Sequence, residues 1–545
     1  MMRKSPGRSK ARRLGSPTLA TALVLVALSM LAAVPAVGAT GPATGQAREV
    51  LVVSNNWDGT ADFIDPQTFK RLTRLNIIPD KDERMAEIQA DPVKLGFFLG
   101  IREFVGEGHD QFVDDSFTSP DGRFLYVSRP SFADVVAFEL STGKIVWRTK
   151  VAGNRADHMA ISPDGTRVLV SASTARMVHS IDTRDGRIVG NFASGDQPHE
   201  NNYSRDGKLI YHASIGSVFT PADDPVMDAL KGDRFFQIVD ADTLQILRRI
   251  DMGQKLDEFG RPELSSAVRP MTLSPDEKTL YFQVSFFHGF VEYDLEADKV
   301  TRLADLPLSE EAKSKRRDEY LLDSAHHGLA MNPEGTKLCA AGTISDYAAI
   351  VDPTDFSHTI VPVGQKPYWS TNSGDGRYCF VSASGDDHVS VISYATEKEI
   401  TRIPVGDHPQ RMRMGTAVLA ADPAAARDAM SLTVSPRRAR VGKRTVFRFQ
   451  TTGRNGQPVE GAVVRFAGGS TRTNSAGSAT MVRSLKRSGS YSARATKAGV
   501  DAASARVRAV RKQRRGGGPS NGRCAPQRGE QRGSGQGAQR CQRVG

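Results

Sequence analysis

The chain has 545 residues, which is longer than one compact domain, and 39% of them are hydrophobic and 25% charged. This composition excludes a polytopic membrane protein and a wholly disordered chain, and four cysteines exclude a disulfide scaffold. The formal net charge of +12 would suggest a partner that is a nucleic acid or an anionic surface.

The charge is unevenly distributed along the chain. Residues 1–47 carry +6, residues 48–422 carry −16, residues 423–510 carry +14 and residues 511–545 carry +8. The bulk of the protein is therefore acidic and only its ends are basic. Because the sequence also has no nucleic-acid recognition motif, we expect no nucleic-acid partner.

The amino terminus has the pattern of a secretory signal peptide. Six basic residues precede an apolar run from about Leu19 to Ala33, Pro35 breaks the run, and small residues end at Ala39. We expect residues 1–39 to be cleaved as a signal peptide; the alternative is an uncleaved single-span anchor. The sequence therefore predicts an extracytoplasmic protein, whether secreted, periplasmic or cell-wall associated, with no transmembrane span after cleavage.

Residues 48–420 contain an internal repeat. A turn of the Ser-Pro-Asp-Gly type recurs six times, and each copy is followed by an alternating strand such as TRVLVSAS. A second signature marks seven outer hairpins: one residue lies between the end of a strand and a polar turn. This residue is acidic in the first six hairpins, beginning with Asp65, and is Ser393 in the seventh. Uninterrupted units run 41 to 43 residues, the length of a four-stranded blade. The six turns begin at Ser119, Ser162, Ser204, Ser274, Asn332 and Ser373.

These counts predict an all-β fold with a seven-bladed β-propeller. The first hairpin, Val50 to Leu75, lacks an inner strand, and the segment Pro409–Val418 is an inner strand without partners. We expect the two to form one blade, which would remove the exposed sheet edges. Eight blades would be needed if residues 76–106 contained strands, but their pattern is helical.

The units HMAISPDGTRVLVSAS and SIDTRDGRIVGNFASGDQP resemble the YVTN-type propeller repeats of bacterial extracytoplasmic proteins, over roughly residues 48–416. The resemblance implies a propeller outside the cytoplasm. It does not select an activity, because that family contains surface-binding proteins as well as relatives of lactonases and of dehydrogenase propellers.

Four insertions interrupt the repeat, and all lie in connections that open on one face of the predicted propeller. We call it the top face; the residues just before each inner strand lie there, at the channel mouth. The insertions are predicted to contain two helices, Asp82–Gln89 and Asp91–Val105, and a charged helix in SEEAKSKRRDEYLL. They are either lids over the channel or packing against neighbouring loops. The insertions are residues 76–108, 215–233, 253–265 and 303–325.

Nine of the eleven histidines fall on predicted top-face connections. Aligning the inner strands places one ring of polar residues at the channel mouth. Converging imidazoles and carboxylates could bind a divalent metal or act as general acids and bases, whereas the simplest alternative is that each histidine bonds a neighbouring backbone group. The predicted metal ligands are His158, His199, Glu200, His326 and His327. The predicted ligand-binding residues are Asp114, Asp115, Asp157, Arg269, Tyr368, Trp369, Gln410 and Arg411.

The carboxy-terminal part of the chain has a different sequence pattern from the repeat region. After a linker at 421–429, residues 430–510 alternate in short strands, and VGKRTVFRFQTTGRNGQPVEGAVVRFAG resembles bacterial immunoglobulin-like domains, with Tyr491 where such folds often have a corner tyrosine. The resemblance implies a β-sandwich that acts as a spacer or adhesion module. Its positive charge is expected to contact anionic wall polymers or the acidic propeller. Residues 511–545 are expected to be a disordered basic tail.

The four cysteines fall into two pairs. Cys524 and Cys541 are expected to pair with each other or with another chain. Cys339 and Cys379 lie one register apart on equivalent strands of neighbouring blades, so we expect them to point to opposite faces and to stay unpaired.

Two functions are compatible with these features. The favoured one is a secreted or wall-associated binding protein that engages a protein, a cell-wall polymer or a small molecule through the top face. The other is a metal-dependent hydrolase, lactonase or oxidoreductase that uses the histidine and acid cluster at the mouth. A divalent metal is the only cofactor that the residues suggest.

Overall fold

The structure, a computed structural model, describes residues 46–218, 230–419, 428–453, 458–497 and 500–511. The predicted signal peptide, most of the predicted linker, and Cys524 and Cys541 with nearly all of the tail lie outside these residues. In the described ranges, none of the helices has the length and apolar character needed to cross a membrane.

Seven four-stranded antiparallel sheets, numbered in chain order, account for residues 48–417 of the described chain. Sheet 1 begins with β1 (Arg48–Asn55), β2 (Thr60–Ile64) and β3 (Arg71–Asn76). Sheet 2 contains β4 (Ser116–Thr118), β5 (Phe124–Arg129), β6 (Asp134–Glu139) and β7 (Lys144–Lys150). Sheet 3 contains β8 (Ala156–Ile161), β9 (Arg167–Ala172), β10 (Met177–Asp182) and β11 (Ile188–Ala193).

The remaining sheets follow the same order. Sheet 4 contains β12 (Pro198–Tyr203), β13 (Leu209–Ser214), β14 (Phe236–Asp240) and β15 (Ile246–Ile250). Sheet 5 contains β16 (Val268–Leu273), β17 (Thr279–Val284), β18 (Gly289–Asp294) and β19 (Lys299–Asp305). Sheet 6 contains β20 (Leu329–Met331), β21 (Leu338–Gly342), β22 (Tyr347–Val351) and β23 (His358–Pro362). Sheet 7 contains β24 (Pro367–Asn372), β25 (Tyr378–Ala383), β26 (His388–Ser393) and β27 (Lys398–Pro404), and β28 (Pro409–Ala417) returns to pair with β1 in sheet 1.

The innermost strands contact one another in sequence, from β28 through β4, β8, β12, β16, β20 and β24 back to β28. Sheets of four antiparallel strands arranged radially in this way define a β-propeller. Because β28 completes the sheet that β1 begins, the two ends of this region are joined by hydrogen bonds, for example in the Leu51–Met414 pair.

The Ser-Pro-Asp-Gly turns show why the repeat folds as it does. In the copy at residues 162–165, the Ser162 hydroxyl donates to Asp164 at 2.5 Å and accepts the backbone N–H of Arg167 at 3.0 Å. Gly165 has a φ of +71°, which favours glycine, and its N–H donates to the Ser162 carbonyl at 2.8 Å. Each such turn therefore fixes the start of the second strand of its sheet.

Two helices, α1 (Lys81–Gln89) and α2 (Pro92–Phe104), occupy the first insertion within a residue or two of the predicted bounds. Asp91 caps α2 by accepting backbone N–H groups, and Pro92 follows at the first helical position. The helix buries Phe98 and Ile101. The second insertion lies partly outside the described residues, and the third contains α3 (Met252–Glu258).

The fourth insertion does not form the predicted long charged helix. It has one helical turn, α4 (Glu310–Lys313), followed by two 3-10 turns, Arg317–Glu319 and Leu321–Asp323. Asp323 has a positive φ and is buried against the ammonium group of Lys231, with Nζ 2.5 Å from its Oδ2. The helical charge pattern was therefore misleading, since local propensity is a weak guide that tertiary context often overrides.

The expectation that Cys339 and Cys379 stay unpaired was wrong. The two residues form a disulfide with Cα atoms 6.5 Å apart, and both are fully buried between sheets 6 and 7. They do point to opposite faces of their own sheets. Because sheets 6 and 7 pack face to face, the face of sheet 6 that carries Cys339 lies against the face of sheet 7 that carries Cys379.

The carboxy-terminal strands form a separate sheet system with its own core, which includes Phe447, Phe449, Phe466 and Val507. The strands are β29 (Asp428–Ser435), β30 (Arg438–Arg440), β31 (Arg444–Gly453), β32 (Val463–Phe466), β33 (Gly469–Arg472), β34 (Ser478–Ser484), β35 (Gly489–Lys497) and β36 (Val500–Val510). Strand order is β33-β32-β35-β36-β29-β31-β34, with β30 added alongside β36.

Strand β36 docks on the propeller. The Arg506 guanidinium donates to Asp407 at 3.1 Å and to Asp387 at 3.3 Å, and it lies 4.9 Å from the ring centroid of Trp57. Trp57 is in turn stacked between the rings of His109 and His408, with centroid distances of 3.9 and 3.8 Å. The acidic loops of the propeller and the basic carboxy-terminal strands therefore meet at a partly buried ion cluster.

Candidate functional site

The polar residues of the mouth lie where the innermost strands leave regular pairing. In several sheets the ladder skips residues near the start of the inner strand, which is the geometry of a β-bulge. A bulge redirects side chains, and here the redirected residues form a buried polar cluster at the start of the innermost strands, which we call the mouth. The skipped residues are Asp157 and His158 in sheet 3, His199 and Glu200 in sheet 4, Arg269 and Pro270 in sheet 5, and Tyr368 in sheet 7.

Three buried histidines converge at this mouth. One ring nitrogen from each of His158, His199 and His327 lies within 4.8 Å of those of the other two. The ring centroids of His158 and His199 are 3.6 Å apart, and that of His327 lies 5.7 Å from that of His199. The three residues come from sheet 3, sheet 4 and the segment that enters sheet 6, so only the closed fold brings them together.

Hydrogen bonds hold two of the rings by one nitrogen each. Nδ1 of His158 donates to Oε2 of Glu200 at 2.7 Å, and Nδ1 of His327 donates to the backbone carbonyl of Tyr368 at 3.0 Å. Among the described residues, no partner is found for Nε2 of His158, Nε2 of His327 or Nδ1 of His199. A histidine that binds a metal typically donates its second ring nitrogen to a carboxylate or a carbonyl in this way.

Burial controls the protonation of the cluster. It lowers the pKa of His158, His199 and His327 well below the usual histidine range, and the positive charge of Arg411 acts in the same direction. The three imidazoles are therefore neutral at pH 7, which is the form that binds a metal ion. Burial also raises the pKa of Glu200 to about 7.

Arginines and carboxylates surround the histidines. Arg411 donates through Nη1 to Oδ1 of Asp114, and Arg413 makes two hydrogen bonds to Asp115, at 2.9 and 2.7 Å. Both guanidinium groups lie over the Trp369 ring, 5.1 and 4.7 Å from its centroid. The mouth is thus a buried, nearly charge-balanced cluster.

A second group of candidate metal ligands overlaps the first. In the described chain, Asp114, Asp157 and His158 also offer ligand atoms within 4.8 Å of one another. Oδ1 of Asp157 lies 3.9 Å from Nε2 of His158, and Oδ2 of Asp157 lies 3.5 Å from Nε of Arg155. His158 belongs to both groups.

The structure separates the other two predicted metal ligands from the three histidines. His326 points away from its neighbour His327, because adjacent residues of an extended chain face opposite sides. Its Nε2 lies 3.2 Å from the Tyr347 hydroxyl, in a cluster with His288. Glu200 contacts Nδ1 of His158 and so orients that ring from behind.

The predicted ligand-binding residues have different surroundings. Arg269 donates to the Ser285 hydroxyl at 3.1 Å and to the carbonyl of Leu322, while Gln410 accepts the Ser382 hydroxyl through its backbone carbonyl at 2.7 Å. The Tyr368 ring stacks on His327 at 4.1 Å. Asp114, Asp115, Asp157, Trp369 and Arg411 all lie in the arginine and carboxylate cluster described above.

Sequence reasoning missed Arg413 and Arg155 as parts of the mouth. Arg413 follows Arg411 by two residues on β28, and alternation along a strand places both on the same side. That spacing is a signal that could have identified Arg413. Arg155 precedes a bulge, and a sequence pattern does not reveal where pairing is interrupted. The stack of Trp57 with two histidines was also not foreseen.

Comparison with known proteins finds similarity only among solved structures. No protein-family model matches the chain, and no curated protein sequence matches it. Among solved structures, it is similar to hydrazine synthase of Kuenenia stuttgartiensis, with a TM-score of 0.43 and 18% identity over 62% of this chain and 89% of that chain. It is also similar to the dihydro-heme d1 dehydrogenase NirN in complex with DHE, with a TM-score of 0.40 and 13% identity over 65% of this chain and 63% of that chain, less than two thirds of its length. The fold and site together define a β-propeller with a buried histidine cluster at its mouth.

Proposed function

We propose that this protein is an extracytoplasmic metal-binding β-propeller whose ion is held by His158, His199 and His327. The observation that carries the proposal is the convergence of three neutral, buried imidazoles, each with a ring nitrogen unpaired within the described chain. With metal–nitrogen bonds near 2.1 Å, two ligands in a tetrahedral site are about 3.4 Å apart. Small rotations of the three rings therefore suffice to close the site.

The donor set favours a transition metal. Three imidazoles suit Zn, Cu, Ni or Fe, whereas the oxygen-rich sites of Ca and Mg have a different chemistry. Three protein ligands leave a coordination position for water or substrate, as in catalytic zinc sites, so the bound ion would supply Lewis-acid chemistry. This favours the metal-dependent hydrolase, lactonase or oxidoreductase over a protein that only binds a partner.

The histidine set is preferred over the overlapping Asp114, Asp157 and His158 set. Nδ1 of His158 is occupied by Glu200, so its Nε2 can serve only one of the two groups. Asp114 is already paired with Arg411, and a cation placed there would face a buried guanidinium. Each of the three histidines instead keeps a ring nitrogen without a partner within the described chain.

Metal analysis tests the proposal. The chain, purified without chelator and dialysed, is expected to retain about one transition-metal ion per molecule by inductively coupled plasma mass spectrometry. The double variant His199→Ala/His327→Ala is expected to lose that metal, because one imidazole alone does not hold an ion tightly. His358→Ala is the matched control, since His358 is exposed on the outer strand β23. Absence of metal from the unmodified chain after supplementation with Zn, Cu, Ni or Fe would refute the proposal.

The architecture we propose is a closed seven-bladed propeller of the YVTN type followed by an immunoglobulin-like module. The ring of contacts between innermost strands and the shared sheet of β1 and β28 support the blade count. The Tyr491 hydroxyl bonds the backbone of Arg487, with its oxygen 3.1 Å from the N–H nitrogen and 3.2 Å from the carbonyl oxygen, which supports the corner-tyrosine assignment.

The extracytoplasmic location rests on the predicted signal peptide and gains support from the Cys339–Cys379 disulfide. Disulfides form and persist in oxidising compartments and are rare in the cytosol. Fusion of residues 1–45 to a reporter that is active only after export would test the location. Retention of the reporter in the cytoplasm would contradict it.

A second function, binding of an anionic wall polymer, is favoured by the exposed basic residues of the carboxy-terminal strands. Co-sedimentation with teichoic acid at increasing salt would test it, because polyanion contacts weaken as salt screens them. Binding that is unaffected by salt or by charge reversal at these positions would contradict it. The exposed residues are Arg437, Arg438, Arg440, Lys443, Arg444, Arg448, Arg465, Arg472, Lys486, Arg487 and Arg494.

A further inference from the structure

Arg411 is a buried cation with unused hydrogen-bonding capacity beside the three histidines. Only 2% of the residue is exposed, Nη1 donates to Asp114, and within the described chain Nε has no partner. The Trp369 ring, 5.1 Å from this guanidinium, is also 6.2 Å from the His158 ring and 6.1 Å from the His327 ring. A buried donor without an acceptor costs free energy, so a group that accepts from Nε would be stabilised here.

The charge balance of the mouth points to the sign of that group. Four arginines and four carboxylates surround the histidines, so the carboxylates at most balance the arginines before any ion binds. A divalent metal held by neutral imidazoles adds two positive charges to this low-dielectric site, and buried charge is stable only when it is paired. The charged residues are Arg155, Arg269, Arg411, Arg413, Asp114, Asp115, Asp157 and Glu200.

We propose that the mouth binds a small anion with oxygen donors, a carboxylate or an inorganic oxyanion, between the metal and Nε of Arg411. One oxygen occupies the coordination position that the three histidines leave open, and a second accepts from the guanidinium, which matches carboxylate geometry. The inference rests on the proposed metal site and names the chemical class of its substrate or ligand. Arg411 thereby acts as a specificity-determining residue.

The Asp114 pair explains why Arg411 can serve this role. Its bond to Nη1 fixes the guanidinium and compensates part of the charge, while Oδ2 of Asp114 has no partner among the described residues. A bound anion would therefore be held by a preorganised cation rather than by a flexible surface side chain, which lowers the entropic cost of binding.

Cobalt substitution tests the inference. The full chain is stripped of metal and loaded with Co(II), whose visible absorption changes when a ligand enters its coordination sphere. Formate is the carboxylate probe, and formamide, which has the same size and no charge, is the matched control ligand. We expect formate to change the cobalt bands in a saturable way and formamide to leave them unchanged.

Variants assign the contact to Arg411. The double variant Arg411→Gln/Asp114→Asn removes both charges without leaving a buried carboxylate unpaired, and it is expected to weaken formate binding about 10-fold or more. The double variant Arg402→Gln/Glu399→Gln removes another arginine–carboxylate pair, on the outer strand β27, and should bind formate as the unmodified chain does. If the first variant does not fold, Arg411→Lys is used instead. Formate is expected to bind this variant more weakly, because lysine keeps the positive charge but has no Nε–H donor in a planar guanidinium.

Each outcome has a distinct meaning. Failure of the unmodified chain to bind cobalt would overturn the metal site and this inference together. A cobalt spectrum that formate does not change would overturn the anion site and leave the metal site in place. Equal formate affinity in the unmodified chain and the Arg411 variants would overturn the role of Arg411.

Discussion

Glu200 accepts a hydrogen bond of 2.7 Å from Nδ1 of His158, and both residues are buried, each where the pairing of its own sheet is interrupted. This contact fixes the ring orientation and directs Nε2 toward the other two histidines. It also makes the imidazole a stronger electron donor to a metal. The two residues are 42 positions apart in the chain, one repeat unit.

Glu200→Gln is expected to weaken metal affinity about 10- to 100-fold while keeping the protein folded. The amide can still accept from Nδ1 but carries no charge, so it polarises the imidazole less. Competition with a chromophoric chelator at pH 7 measures the affinity. Glu399→Gln, on the outer strand β27, serves as control, and an affinity unchanged by Glu200→Gln would contradict the supporting role of this contact.

Arg506→Ala is expected to release the carboxy-terminal strands from the propeller. The change leaves Asp387 and Asp407, whose side chains are 13% and 19% exposed, without their cation. The expected cost lies between that of an exposed pair, about 0–1 kcal/mol, and that of a fully buried one, about 3–5 kcal/mol. Hydrogen–deuterium exchange of residues 384–387 and 405–408 should rise, and small-angle scattering should show a larger radius of gyration.

Arg508→Ala is the matched control for that experiment. Arg508 lies two residues further along β36 and pairs with Glu311, but both side chains are about half exposed. Exposed pairs contribute about 0–1 kcal/mol, so docking should persist. Equal exchange in both variants would show that the Arg506 cluster does not hold the two parts together.

Removal of the disulfide by Cys339→Ala/Cys379→Ala is expected to lower the free energy of unfolding by about 2–5 kcal/mol. The bond closes a loop with a sequence separation of 40 and lies in the buried interface of two sheets. Urea unfolding of the variant and the oxidised protein measures the difference. Peptide mapping that finds both residues as free thiols in secreted protein would contradict the assignment.

Acid is expected to destabilise the propeller from about pH 6.5 downward. Burial lowers the pKa of His212 to about 3, and burial lowers that of His288 to about 4. Because the unfolded chain then binds protons that the folded one does not, stability is lost as the pH falls below the unfolded pKa near 6.5. For the fully buried His212 the loss amounts to about 2 kcal/mol at pH 5.

The measurement compares free energies of unfolding at pH 7 and pH 5. His212→Gln can still bond to the Ser194 hydroxyl, which His212 contacts at 2.7 Å, but it does not titrate. The variant should therefore lose about 2 kcal/mol less between the two pH values. An identical loss in both proteins would show that His212 does not contribute.

The sequence alone determined the repeat architecture. Turn chemistry is local: proline, aspartate and glycine within four residues fix a turn, and the alternation that follows fixes which side of each strand is buried. The same regularity predicted that His158, His199 and His327 lie near one mouth, within the aligned pairs that precede the inner strands. The helices α1 and α2 were also predicted, from the helical pattern of residues 76–106.

The tertiary structure alone decided which of those residues act together. The way the chain enters sheet 6 decides that His327 rather than His326 joins the cluster, and the bulges of sheets 3 and 4 place Glu200 behind His158. Both depend on how the strands pair rather than on local preference. The face-to-face packing of sheets 6 and 7 turned two cysteines of opposite orientation into a disulfide. The docking of Arg506 joined two segments whose charges the sequence showed to be opposite. Contacts between residues far apart in the chain are set by packing, and a local pattern carries no information about them.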